Sequence, residues 1–583
     1  MNKTLNTHPK MANLLENWLA DAIYAYVKLL GGPTSLRRKK QRIDYICQQL
    51  LTPSLLQKHW QTLDDITKKA VSTAYHNDGT FNSYAFLAQY DDYPKRPITG
   101  RSHYATYKNP ILFDLFIING AIPSDLLPLL APHVLPEDRF QIEVVEDGSL
   151  SNHIKHPYSG EQAPLHIIET ETIGRVDLLT CLRMIEQGEI KFSSSNRLIT
   201  AGSMKKLHAQ LVDGDLVANP EKMTNKFVIR PFGLAVFAYH SNFVTRQGNI
   251  TKLGRDYLAS QDSNLFEDAF AEWVENGKFE ELTRVEGLKG VRSKKTHLTH
   301  SGERREKIIE ALSWCPTGKW IEINQFFRAM QAWEFDIELE DSPYYNLSTE
   351  DHYWEMSRNE YHRDIIHPYI EIILVEYLAS LGLIDIGYFD FDANENSILT
   401  STTPQDIYQS FYYFRINDWG AYILGIHDEY EMVKTAEQAK FTVDEQLRLT
   451  LAQTILPGDK LFVELISTPI DDKLYQLDTT KLLDTVQNGQ SFALLRSFLL
   501  QGVETAVPEL TAWLDQLEQN SKAIKQKHKA IVYTVKPDVM RLSQEDDLLR
   551  KLSMVLDPKT LLIPAGNDNR FRKRLKILGY LIM

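Results

Sequence analysis

Residues 250–258 read ITKLGRDYL and residues 416–424 read INDWGAYIL, so an isoleucine, a polar residue, a glycine and a closing leucine recur at identical spacing. Thr251 and Asn417 are side chains that cap a helix N-terminus. Gly254 and Gly420 then permit close packing where Leu253 and Trp419 enter a core. Each phrase reads as a strand turning through a cap into a helix, and a chain that writes it twice is expected to repeat a fold unit.

The residues before each phrase support that expectation. Ile173, Val176, Leu179, Leu182 and Ile185 recur at helical spacing over 172–187, and Gly188 follows as a left-handed cap. A short alternating strand, EIKFSS, comes next, and Thr200 is placed to cap a helix over 201–212. A very apolar helix is expected over 227–240, with Pro231 acceptable in its first turn. NFVTRQGNITK then alternates around Gln-Gly-Asn as a hairpin would. Helix, short strand, helix, helix and hairpin is the order of a winged helix-turn-helix domain.

The second copy follows the same grammar. Ile308, Ile309 and Leu312 mark a helix ending before Pro316, GKWIEI a short strand, and NQFFRAMQAW a helix capped by Asn324. An acidic, aromatic insertion spans 334–358. YHRDIIHPYIEIILVEYLASL is a long third helix ending at Gly382, and GLIDIGYF and FYYFRI are the wing strands around a polar tip at about 390–408.

The 583 residues exceed what one core organises, and the 43% hydrophobic and 24% charged residues suit an ordinary folded protein. The expected fold is mainly α with α+β parts. It comprises a helical N-terminal domain over 1–165, with Leu14, Leu15, Trp18 and Leu19 periodic, and winged-helix module 1 over 166–262. A basic linker over 263–300, winged-helix module 2 with insertions over 301–430, and a small C-terminal α+β domain over 431–583 follow. In that last domain AIVYTV and TLLIPA read as strands around one helix. No apolar run approaches a membrane span and the start lacks a secretory cleavage pattern, so no membrane partner is expected. Cys47, Cys181 and Cys315, far apart in apolar contexts, suit buried thiols in a cytoplasmic protein.

The runs DLLTCLRMIEQGEIKFSSSNRLIT, CPTGKWIEINQFFRAM, VEYLASLGLIDIGY and YFRINDWGAYILG resemble a family of bacterial helicase-associated proteins. The ending, from FTVDEQLRL through LLDTVQNGQSFALLRSFLL to LKILGYLI, is similar to the accessory region of xeroderma-pigmentosum-group-B-type helicases. The resemblance covers roughly residues 165–583. It implies tandem winged helices and association with DNA transactions, alongside a separate helicase or ATPase, in DNA repair or antiviral defence. It carries over no catalytic residue.

Sequence motifs for chemistry are missing. The chain has no G-x-x-x-x-G-K-[ST] loop to cradle nucleotide phosphates, no H-E-x-x-H, no C-x-x-C and no G-x-S-x-G. Asp390, Asp392 and Asn394 imitate the start of a calcium loop, but Glu395 stands where glycine is required and Ser401 where the closing glutamate belongs. His352, His362 and His367 fit a zinc site poorly, because a spacing of five does not share one helical face. No catalytic residue, metal or cofactor is therefore expected.

A net charge of −13 means that any nucleic-acid surface must be local. RRKKQR at 37–42, the 291–307 run and RFRKRLK at 570–576 are the basic clusters, each readable as a solvated face. Beyond Lys226 and Arg230 the third helix of module 1 is apolar, so it is expected to be buried rather than to read bases. The candidate DNA contacts are Lys205, Lys206, Arg246, Lys252 and Arg255 in module 1, with Arg292, Lys294, Lys295, Arg304 and Arg305 approaching module 2. Such residues position phosphates without specifying sequence. The expected function is a non-catalytic DNA-binding scaffold. The alternatives are a protein–protein adaptor without DNA binding and a cryptic metal-dependent nuclease.

Overall fold

The computed structural model describes residues 8–96, 109–155, 162–217, 222–341, 346–349, 357–389, 404–430, 440–453, 455, 457–487, 492–503, 507–523 and 529–580. The chain is mainly α with α+β parts and divides into two compact units, Met1–Thr435 with Leu456–Asp459, and Ala436–Ile455 with Lys460–Met583. No helix among the described residues is long and apolar enough to cross a membrane.

The first unit begins with helices, among them Ala20–Leu29, Lys39–Leu51, Pro53–Gln61, Asp65–His76 and Ser83–Tyr90. Ile23, Val27, Ile46, Leu56, Trp60, Val71 and Phe86 form their core. Leu14 and Leu15 are buried as expected, but Leu19 is 68% exposed. The first helix stops at Glu16, and Leu19 becomes the N-cap residue of the next, which breaks the periodicity.

The stretch around each repeated phrase is built alike. In the first copy, helices Glu171–Glu186, Ala201–His208 and Arg230–His240 precede a hairpin closed by a Val244–Ile250 bridge, and helix Lys252–Ser260 follows. The expected EIKFSS strand is only a bridge between Phe192 and Ile199. In the second copy, helices Ser301–Ser313 and Ile323–Ala332 flank strand β3 (Trp320–Glu322), and a long helical stretch runs from Arg358 to Ala379. Asn324 does not cap: the helix starts at Ile323 behind Glu322, which makes no side-chain cap bond. The long stretch widens to π geometry over His362–Ile366 and Ile373–Ala379. Pro368 lacks an N–H and crowds the preceding turn, which accounts for the first widening.

Strands β1 (His153–Lys155), β2 (Gln162–Ile168), β4 (Ile384–Phe389) and β5 (Phe411–Ile416) join β3 in one antiparallel sheet, ordered β1-β2-β4-β5-β3. The expected wing tip lies outside the described residues over 390–403, with the calcium-like loop, and Pro404–Ser410 is helical instead. His352 also lies outside them.

The repetition has a physical cause. Thr251 Oγ1 accepts a hydrogen bond from the Gly254 amide at 3.1 Å, and Asn417 Oδ1 accepts one from Gly420 at 2.9 Å. A Cβ on Gly254 would stand 2.7 Å from the Phe243 carbonyl oxygen, and one on Gly420 1.8 Å from that of Leu383. Both carbonyls belong to the residue just before the outgoing hairpin strand, at Val244 and Ile384. Cap and glycine together clamp the closing helix onto the hairpin.

The third helices of the two copies cross each other. Every residue from Arg230 to Tyr239 is buried, and a Cβ on Gly233 would lie 2.0 Å from the Glu376 carbonyl oxygen. At the crossing Glu376 accepts from Arg284 at 2.6 Å and from the Tyr408 hydroxyl at 2.6 Å.

Residues 263–300 are not a linker. They hold helix Ser263–Asn276, whose Phe266 and Trp273 pack against Phe237 of the first copy's third helix, with Phe270 buried beside them.

The second unit contains two small sheets. Strands β6 (Phe441–Val443), β7 (Arg448–Leu451), β8 (Ser467–Pro469) and β9 (Leu474–Leu477) are ordered β6-β7-β9-β8, and their core includes Leu449, Val463, Leu482, Leu495 and Leu514. Strands β10 (Ala530–Thr534), β11 (Met554–Asp557) and β12 (Thr560–Pro564) are ordered β10-β12-β11. Two helices, Pro537–Glu545 and Asp547–Leu552, follow β10 where one was expected, and helix Asp568–Ile577 ends the set.

Candidate nucleic-acid interface

Arg304 and Arg305, expected to meet DNA, are buried. Arg305 donates to Glu281 at 2.9 Å and to the carbonyls of Trp273, Gly277 and Phe279 at 2.9, 2.9 and 3.0 Å. Its guanidinium also lies 4.9 Å from the Trp273 ring. Arg304 donates to both Glu280 oxygens at 2.8 and 2.7 Å and faces the Tyr369 ring. Burial pushes the Glu281 carboxyl up, against the pull of Arg305. These arginines order the start of helix Ser301–Ser313 inside the core and reach no solvent phosphate. Arg230 is likewise buried, ion-paired to Asp177.

The other eight candidates are at the surface. Lys206 approaches Glu189 at 3.4 Å, Lys252 pairs with Asp256 at 2.5 Å, and Arg255 meets Glu186 at 3.3 Å. Exposed pairs of this kind are worth roughly 0–1 kcal/mol and open readily for a stronger anion. Lys205 is exposed on the same helix as Lys206. Arg292, Lys294 and Lys295 are exposed on the turns after Gly290, whose backbone packs against Asn346. They stand in the chain just ahead of helix Ser301–Ser313.

Around the first hairpin the structure gathers cations from three separate stretches. The Arg246 carbonyl accepts a hydrogen bond from the Tyr239 hydroxyl at 2.9 Å, and the Tyr239 ring lies 5.0 Å from that of Phe192. Gly248, at the hairpin turn, faces Phe192, with a Cβ position 3.1 Å from that ring. Lys191 neighbours Phe192, and Arg197 lies in the turn closed by the Phe192–Ile199 bridge. The Lys278 amide donates to His240 Nδ1 at 3.3 Å. His240 records this concentration of charge. Burial first, then Arg305, Arg197 and Lys278, lower its pKa to about 4, so the imidazole is neutral at pH 7.

Lys191, Arg197, Arg246 and Lys278 are all exposed. Arg197, Arg246 and Lys278 stand near the C-terminal end of helix Arg230–His240, with Lys191 beside Phe192 in the chain, and they offer charge to phosphates without presenting a helix to base edges. Sequence reasoning found only Arg246. The other three are isolated in the chain, and only the fold makes them neighbours.

His362 and His367 have rings 6.4 Å apart, and His367 stacks on Phe327 at 3.9 Å. No group of three or more His, Cys, Asp or Glu among the described residues is placed to hold a metal ion.

Comparison with models of known protein families and with characterised proteins finds no match to this chain.

Proposed function

We propose that this chain is a non-catalytic DNA-binding scaffold, a cytoplasmic accessory subunit to a separate helicase or ATPase. In this reading the two copies are winged helix-turn-helix modules whose third helices have been turned inward to hold each other. DNA is met by the first wing and its surroundings, through phosphates and without base reading. The observation that carries the proposal is the convergence of Lys191, Arg197, Arg246 and Lys278 around one hairpin in a chain whose net charge is −13. The resemblance to helicase-associated proteins supports the helicase partner and the setting of repair or antiviral defence.

The test is charge reversal. Arg197→Glu, Arg246→Glu and Lys278→Glu together should lower affinity for duplex DNA at low salt by at least about tenfold and reduce the salt slope by about 2.7, from three lost phosphate contacts. Reversal of the paired Lys252 should do much less. An unchanged affinity in the triple variant would remove the wing from the interface.

A second reading, a protein–protein adaptor, is favoured by the inward third helices and the acidic total charge. It predicts no DNA binding at low salt, by the chain alone or with its partner.

A further inference from the structure

Residues 529–580 carry eleven Lys and Arg against six Asp and Glu, a net charge of +5 in a chain of −13. This stretch forms the β10-β12-β11 sheet and the helices on its covered face. Its core consists of Met540, Leu549, Leu552, Leu561, Ile563, Phe571 and Leu575.

The positive charge is concentrated on helix Asp568–Ile577, where five of the ten residues are Arg or Lys. Phe571 and Leu575 bind the helix to the core. Arg572 is tied to Asp568 at 2.7 Å and Arg574 to Asp546 at 2.6 Å, which holds Asp546 down at about 2. Arg570, Lys573 and Lys576 are exposed and have no ion-pair partner among the described residues. At 100° per residue these three point away from Phe571 and Leu575, and they share their face with Asn569 and Ile577.

We propose that this face, formed by Arg570, Lys573 and Lys576, is a second contact surface for the phosphate backbone of nucleic acid, independent of the first wing. The three cations span about 9 Å of helix axis, and that length of duplex carries about five phosphate charges. An anionic membrane fits less well. Interfacial helices insert an apolar face, and here that face is occupied by the core. A protein partner also fits less well, because protein interfaces centre on apolar or aromatic anchors and are depleted in lysine.

The experiment titrates the full chain with labelled duplex and single-stranded DNA of mixed sequence at about 50 and about 200 mM salt. Arg570→Glu, Lys573→Glu and Lys576→Glu together should weaken binding at the lower salt by at least about tenfold and reduce the duplex salt slope by about 2.7. The glutamine triple variant should lose the same slope with a smaller loss of affinity. Thermal melting of both should match the unaltered chain, because none of the three side chains holds the fold together.

Unchanged affinity and slope in the folded variants would overturn the proposal. If the wing reversals weaken binding and these do not, the scaffold reading stands and this surface fails. If these weaken it and the wing reversals do not, this surface stands and the wing assignment fails. Failure of the unaltered chain to bind DNA, or binding only to phosphatidylserine vesicles through this helix, would also overturn it.

Discussion

Arg305 lies wholly inside the first unit, beside the equally buried Glu281. Its five donors are shared among Glu281 and backbone carbonyls, so truncation strips the buried Glu281 carboxylate of its countercharge and takes a donor from each of three carbonyls. Arg305→Ala is expected to destabilise the first unit by about 3–5 kcal/mol, whereas Arg292→Ala should change stability by less than about 0.5 kcal/mol. Denaturant unfolding of the two variants checks the contrast. The misplacement of Arg304 and Arg305 was partly legible. They precede Ile308 by four and three residues, the spacing of one helical face, and Glu280 and Glu281 supply a matching acidic pair in the chain. Charge alone drew them to the surface; periodicity drew them inward.

Two histidines give the protein an acid-sensitive component. Burial is the main cause that lowers both His240 and His367 to about 4 from the ordinary 6.5. A histidine depressed in the fold contributes stability that is complete above the unfolded value and lost as pH falls towards the folded one. Asp177, raised to about 6 chiefly by burial, acts in the opposite sense, since its contribution falls as pH rises from the ordinary 3.8 through that value. His240→Gln should melt with a flatter pH dependence than the unaltered chain between about pH 6.5 and about pH 4. Parallel curves would assign His240 an ordinary titration.

At the scale of elements, the crossing of the two third helices and the two cap-and-glycine clamps hold the first unit together. Gly233→Ala places a methyl against the Glu376 carbonyl, and Gly420→Ala places one against Leu383. Neither backbone can retreat without disturbing a helix crossing or a hairpin, so each should cost at least about 3 kcal/mol, the upper range for overpacking. Gly188→Ala meets no atom within 4 Å and is strained only by its φ of 72°, so its effect should be smaller. Thermal melts of the three variants order the costs. The clamps were visible in the sequence because cap and glycine are local chemistry. The crossing was only half visible. Apolarity in 227–240 announced burial, but nothing local named helix Arg358–Ala379 as its partner. Residues 263–300 were misread for a related reason: charge after 280 concealed the apolar face of Ser263–Asn276.

For the whole molecule, an acidic chain with two basic surfaces is expected to bind nucleic acid through counterion release and to ignore base sequence. Arg246 was found from its place in the hairpin, but Lys191, Arg197 and Lys278 are single residues in unrelated stretches. Their assembly depends on long-range packing, which one sequence does not display. The most direct test measures the affinity of the full chain for two duplexes of unrelated sequence across a salt series. Affinities equal within about threefold are expected, with a log–log salt slope of about −3.6 or steeper from at least four phosphate contacts. No binding at low salt, a slope near zero, or a strong preference for one sequence would contradict the scaffold reading.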